Sequence, residues 1–313
     1  MLHPLPGLIQ GIIMGLLLGA NTVFWAIQIY VLVLLKLLTP SGSKLRDAIA
    51  HGASQLAQNW AATNSRLSGM LQRVEWDIRI SVDLDPKGQY LVCSNHQTWN
   101  DIFVLMRAFG RRAPFFKFFL KEQLIWVPVL GLAWWGLDYP FMKRSTPEDI
   151  KKNPALKGKD METTRKACEK FRNQPVLILN FLEGTRFTKA KQLSQKAPYK
   201  HLLRPKAGGF AFAMEAMGDK LHALIDVTIA YPDGAMTFWE FLCGKVHRVI
   251  VDVRPLEIPD DMKATLIRGH YEEDKEFRKR FQFWIGDLWR AKDARIAEML
   301  GVAAPDYSVA NTA

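Results

Sequence analysis

From Leu8 to Leu38 the chain runs for 31 residues with a single charge, Lys36, broken otherwise by few polar side chains, chiefly Gln10, Asn21 and Gln28. Crossing the hydrocarbon of a bilayer takes roughly 20 apolar helical residues. A core helix seldom exceeds about 25 residues, and a secretory signal has an apolar core of only about 7–15. The segment is too long for either, and no convincing small-residue cleavage site follows it. It is expected to be a retained membrane anchor. One tilted span satisfies its length, and so do two half-helices in one leaflet, bent at Gly19-Ala20-Asn21-Thr22. Lys36, Lys44 and Arg46 mark the C-terminal side as the cytoplasmic one.

Pro40 and Ser41-Gly42-Ser43 break the run. Residues 1–44 are accordingly expected to form the anchor and 45–313 the body of the protein. The stretch Ser41–Leu71 reads as a polar helix with Leu45, Ile49, Leu56, Trp60 and Leu67 on one side. It either packs on the body or lies along the membrane surface. From Val74 strands and helices alternate. Val74–Val82 alternates with period two, and Gln89–Cys93 is a short buried strand. A helix begins near Asn100 or Asp101, with Ile102, Leu105, Met106 and Phe109 inward. Phe115–Lys121 is a further strand or a short helix carrying Lys117 and Lys121. An amphipathic helix spans 160–172, and the apolar run Val176–Asn180 follows. Beyond it come a small-residue helix from Ala207, strands at 223–231 and 248–253, and a long helix near 275–300. That last helix aligns Phe277, Phe281, Trp284, Leu288 and Trp289. The order argues for an α/β fold, a mixed sheet flanked by helices.

Chemistry concentrates at two strand ends. His96 sits on the turn after the Gln89–Cys93 strand, and Asp101 in the first turn of the following helix, where the helix dipole favours a carboxylate. The fold-back lets Asp101 hold one ring nitrogen of His96, leaving the other free to take a proton from a hydroxyl. The second strand end, Glu183-Gly184-Thr185-Arg186, gathers backbone N–H groups, a hydroxyl and a guanidinium, the donors that hold phosphate. Cys93, Cys168 and Cys243 lie far apart, and no second His or Cys stands at ligand spacing from His96, so no metal is implied. A net charge of +11 calls for an anionic partner. Lipid headgroups fit better than nucleic acid. No recognition helix, zinc finger or RNA-binding signature is present, and with 49% hydrophobic residues, 10 Trp and 18 Phe the chain suits a membrane surface.

Asn95-His96-x4-Asp101 followed by Glu183-Gly184-Thr185-Arg186-Phe187-Thr188 resembles the PlsC-type glycerophospholipid acyltransferases, over roughly Val74–Pro255. The resemblance implies the glycerolipid acyltransferase fold and attack of a glycerol hydroxyl on a thioester. His96 would be the base and Asp101 its partner. Arg186 would hold the acceptor phosphate, helped by Gly184 and Thr185, with Glu183 orienting the loop. A second phosphate motif of the family usually reads Gly-x-x-Phe-x-Asp-Arg. Here Gly136–Arg144 is longer and carries Lys143 where Asp is usual, so only Arg144 is carried over. Lys117 and Lys121 are candidates for donor phosphates or, equally, for lipid headgroups on a face near the membrane, and Ile225–Pro232 for shaping the acyl pocket. The implied reaction moves a fatty acyl group from acyl-CoA or acyl carrier protein to the 2-hydroxyl of lysophosphatidic acid (1-acylglycerol 3-phosphate), giving phosphatidic acid. It needs no metal or prosthetic group, and runs on the cytoplasmic face of a bacterial inner membrane. The alternatives are another lysophospholipid acceptor, or a catalytically silent scaffold that binds anionic lipid.

Overall fold

The computed structural model describes residues 6–142, 159–171, 174–267, 271 and 273–307. Its centre is β2 (Gln89–Ser94), buried at every position. Apolar on both faces, as central parallel strands are, it lies between β6 (Val176–Phe181) and β7 (Ala223–Ala230) and runs parallel to both. Beyond β6 lies β3 (Phe116–Phe118), also parallel. On the other side β8 (Arg248–Pro255) runs antiparallel to β7, and β1 (Glu75–Ile80) closes the edge parallel to β8. The sheet order is therefore β1-β8-β7-β2-β6-β3, a mixed sheet as expected. The stretch around Lys117 resolves as two short strands: β3, and β4 (Leu120–Lys121), which pairs with β5 (Phe141–Met142) in a small second sheet.

Period-two alternation divides the core. Tyr90, Val92, Leu177 and Leu179 point to one face, which α3 (Asn100–Phe109) covers with Val104, Leu105 and Phe109. Leu91, Cys93, Val176 and Ile178 point to the other. There α7 (Ala207–Met217) and α10 (Lys275–Met299) cover them with Phe210, Met214, Phe281 and Trp289. Helix α10 also buries two charges. Lys292 pairs with Asp226 and donates to the Val227 carbonyl at 2.6 Å, while Arg295 reaches the other Asp226 oxygen at 2.8 Å. Asp293 accepts the Lys200 and His201 N–H groups, each at 2.7 Å. These pairs lock α10 both to β7 and to the loop before α7.

The apolar N-terminal run is one unbroken helix, α1 (Gly7–Leu38), with no bend at Gly19–Thr22. At 1.5 Å per residue its 32 residues span about 48 Å. It pairs antiparallel with α2 (Lys44–Leu71) through the polar groups that interrupt it. Gln10 donates to the Leu71 carbonyl at 2.8 Å, Asn21 to Asn64 at 2.8 Å, and Trp60 to Thr22 at 3.0 Å. The body holds both its ends. Near the start, a Cβ on Gly11 would come within 2.6 Å of Cys243 Sγ, just past α8 (Phe238–Leu242). Near the end, one on Gly136, closing α4 (Leu130–Gly136), would come within 2.2 Å of a Val33 methyl. Lys36, buried in its last turn, pairs with Asp138 and donates to the Gly136 carbonyl at 3.1 Å. So α1 lies along the body, with Leu16, Phe24, Leu34 and Leu38 exposed on its outer side. The elements gripping its ends also expose Trp135, Phe238 and Trp239, and Trp126, just ahead of α4, is exposed as well. Helix α2 packs on the body as well, Gln58 donating to the Ala113 carbonyl at 3.0 Å.

Candidate active site

Beyond Ser94 the chain leaves the sheet, but Asn95 prolongs the pairing with its side chain. Its amide donates to the Ile229 carbonyl at 2.8 Å and accepts from the Ile229 N–H at 2.9 Å, so β7 fixes the start of the turn. The other side of the turn is held by Thr98 and Asn100, which donate to the Met236 carbonyl at 2.6 and 2.9 Å. Between these supports His96 and Asp101 meet, Nδ1 to Oδ2 at 2.8 Å.

Asp101 is fully buried and fully used. The same Oδ2 accepts the Gln97 and Thr98 N–H groups at 2.6 and 3.1 Å. Its Oδ1 accepts the Tyr231 hydroxyl at 2.7 Å. Burial and the Asp101 charge push the Tyr231 phenol well above its ordinary range, so it stays a donor. A carboxylate facing Nδ1 sets the tautomer with the proton there, leaving Nε2 as an acceptor. The imidazole stacks on Phe181, ring centroids 4.0 Å apart, and its side chain is 15% exposed, enough for a substrate hydroxyl to reach it.

Glu183 follows β6 and is buried. One oxygen accepts the His96 N–H at 2.9 Å and the other the Leu203 N–H at 2.8 Å. It joins the His96 turn to the loop before α7 and does not point at solvent. Burial raises its pKa to about 8, against the pull of those two N–H groups. Gly184 has φ +68°, a left-handed turn that favours glycine. Lys191, in the short helix α6 (Lys189–Ser194), donates to Thr185 Oγ1 at 2.8 Å and to the Arg186 carbonyl at 2.9 Å. The Arg186 guanidinium rests 5.0 Å from the ring centroid of Trp99, itself within the His96–Asp101 turn. Phe187 donates to the His96 carbonyl at 2.7 Å. The two sequence stretches thus form one site at the ends of β2 and β6.

Lys117 is buried and not on a solvent face. Its ammonium lies 4.3 Å from the Phe171 ring centroid, and burial lowers its pKa to about 8. Arg144 and Lys143 lie outside the described residues. Among the described residues no three His, Cys, Asp or Glu side chains are grouped to hold a metal ion. Sequence reasoning missed three participants. Tyr231, given a pocket-shaping place, touches Asp101, and Trp99 and Lys191 flank Arg186. Only Tyr231 carried a signal, as a hydroxyl at the end of a buried strand.

Residues 75–232, half of the chain, match the family model described as Acyltransferase. An uncharacterized acyltransferase of Saccharomyces cerevisiae is 25% identical over 233 residues, covering 66% of this chain and 58% of its own. The 1-acyl-sn-glycerol-3-phosphate acyltransferase delta of Mus musculus is 29% identical over 192 residues, covering 57% of this chain and 44% of its own. The chain thus spans about half the length of these curated relatives. The crystal structure of the 1-acyl-sn-glycerophosphate acyltransferase PlsC from Thermotoga maritima superposes with a TM-score of 0.47 at 14% identity, covering 89% of this chain and 98% of that one.

Proposed function

Because the chain belongs to the Acyltransferase family, we propose that it transfers a fatty acyl group from acyl-CoA or acyl carrier protein to the sn-2 hydroxyl of 1-acyl-sn-glycerol 3-phosphate, giving phosphatidic acid. The observation that carries this is the His96–Asp101 pair, its carboxylate saturated by four donors and its Nε2 open. His96 Nε2 takes the proton of the acceptor hydroxyl as its oxygen attacks the thioester carbonyl. Asp101 stabilises the imidazolium that forms. When the tetrahedral intermediate collapses, the carbon–sulfur bond breaks and the imidazolium returns the proton to the departing thiolate. No enzyme nucleophile is required.

Arg186 binds the acceptor phosphate, with donors from Gly184 and Thr185, while Trp99 and Lys191 hold it in place. Glu183 acts by holding the His96 turn. Arg144 and Lys117 supply further positive charge; the Lys117 ammonium touches an aromatic ring and no carboxylate among the described residues, a state that an anionic ligand completes. Residues 1–44 are the anchor and 45–313 the catalytic body. The exposed side of α1 sits in the cytoplasmic leaflet of a bacterial inner membrane, bringing the site to its lipid acceptor. A panel of lysophospholipids and one acyl-CoA, assayed with purified protein in lipid, tests the reading. Transfer should require a terminal phosphomonoester on the acceptor. Equal transfer to lysophosphatidylcholine would reassign the acceptor, and no transfer to any would remove the activity.

A further inference from the structure

The acceptor site leaves one large cavity unused. It measures about 530 Å³ and lies between the loop leading into α7 and helix α10, a size that suits a small organic ligand. Arg204, Lys206 and Arg290 line it, together with Tyr199, Tyr271 and Phe283. The cations differ in how far they are neutralised. Arg290 pairs with Asp287. The Arg204 guanidinium is held by two carbonyls, Gln195 at 3.0 Å and Lys196 at 2.8 Å, which orient it but leave its charge intact. Neither Arg204 nor Lys206 has a carboxylate in ion-pair contact among the described residues. Tyr199, Arg204 and Arg290 line the same space; burial raises the Tyr199 phenol, Arg290 and Arg204 oppose that rise, and Asp293 and Asp287 add to it.

The walls are fixed before any ligand arrives. Asp293 of α10 holds the Lys200 and His201 N–H groups, Leu203 N–H is held by Glu183, and Lys206 N–H by the Leu182 carbonyl at 2.7 Å. The same Glu183 carboxylate holds His96. Arg204 therefore follows directly on a residue that shares a carboxylate with the His96 turn. Two unneutralised cations call for a phosphate, and aromatic walls call for more than a bare ion. Arg186 already serves the acceptor phosphate.

We propose that this cavity binds the phosphate and arm of the acyl donor's 4′-phosphopantetheine, the part that coenzyme A and acyl carrier protein share. The assignment rests on the acyl-transfer reading above. The segment Arg186–Lys206 carries seven Lys and Arg and no acidic residue; Arg204 and Lys206, at its end, line this cavity.

The test compares the full chain in lipid with its Arg204→Gln/Lys206→Gln variant on three donors: acyl-CoA, S-acyl-4′-phosphopantetheine and S-acyl-pantetheine, which lacks the phosphate. Both residues are exposed, and a matching thermal midpoint would confirm that the variant is folded; if it is not, Lys206→Glu alone replaces it. Losing two charge-assisted contacts should raise KM for the two phosphorylated donors about tenfold or more. KM for the acceptor and turnover of S-acyl-pantetheine should stay unchanged. The same rise is expected with acyl carrier protein as donor, and its absence there would overturn the assignment to the shared arm. Unchanged KM for phosphorylated donors, an equal loss on all three, or a loss confined to acyl-CoA would each overturn the assignment. Calorimetric binding of coenzyme A keeps the two readings apart. A wild type that binds it, with affinity lost in the variant, but transfers no acyl group would refute the reaction and retain the site. A wild type that transfers with no effect of the variant would do the reverse.

Discussion

Asp101→Asn separates what the carboxylate does by its shape from what it does by its charge. Three donors converge on Oδ2, namely His96 Nδ1, Gln97 N and Thr98 N, and one hydroxyl, Tyr231, faces Oδ1. An asparagine must turn its carbonyl oxygen toward the three. Its amide then faces Tyr231, whose hydroxyl can rotate to accept. The turn should therefore survive, with the His96 tautomer unchanged. What disappears is the negative charge beside an imidazole that, in the proposed reaction, becomes positive as the hydroxyl attacks. Two unit charges about 4 Å apart at an effective dielectric near 20 interact by about 4 kcal/mol, so kcat should fall by roughly 10³-fold. KM for the acceptor should move by less than about threefold, since Arg186, the proposed phosphate contact, is untouched. The assay is initial-rate kinetics in mixed micelles, with thermal unfolding as a control on folding. A folded Asp101→Asn protein keeping kcat within about tenfold of wild type would refute the charge argument. So would a loss expressed wholly in KM.

Glu183 titrates against stability. Its pKa is pushed up from 4.5 to about 8 in the folded protein, so the folded state holds a proton that the unfolded chain releases. Its stabilising contribution is complete below pH 4.5 and is lost as pH rises through about 8. Glu183→Gln should remove that dependence, narrowing the gap in thermal midpoint between wild type and variant from pH 5 to pH 8; parallel curves would contradict it. Arg186→Lys keeps the charge but loses the planar fork, and should cost roughly 10²-fold on 1-acylglycerol 3-phosphate and little on an acceptor lacking phosphate; equal losses on both would move phosphate recognition elsewhere. Deleting residues 1–40 strips Met14 and Leu18 from the core as well as removing the proposed anchor. The truncated protein should leave the membrane and also unfold at a clearly lower temperature, and Met14→Ala alone should cost about 2–5 kcal/mol in denaturant unfolding. An unchanged midpoint in both would show that α1 is not part of the packed body.

The sequence alone determined what depends on neighbours along the chain. The burial of β2, the start of α3 at Asn100 and the apolar stripe of α10 follow from local periodicity, because an element's period states which side faces the core. The His96–Asp101 contact was legible for the same reason: a strand-to-helix turn brings residues five apart together. Tertiary structure decided everything set by strand order. Tyr231 reaches Asp101 across 130 residues only because β7 pairs with β2, and Glu183 clamps His96 to Leu203 only because β6 lies on the other side. Hydropathy made Leu8–Leu38 a helix for a membrane. It could not show that Gln10, Asn21 and Lys36 are that helix's points of attachment to the rest of the protein. The sequence left Lys117 between a donor phosphate and a lipid headgroup and said nothing of Lys292, whereas one lies on a buried ring and the other pairs with Asp226. A polar side chain's environment is fixed by its partners, and those partners come from distant parts of the chain.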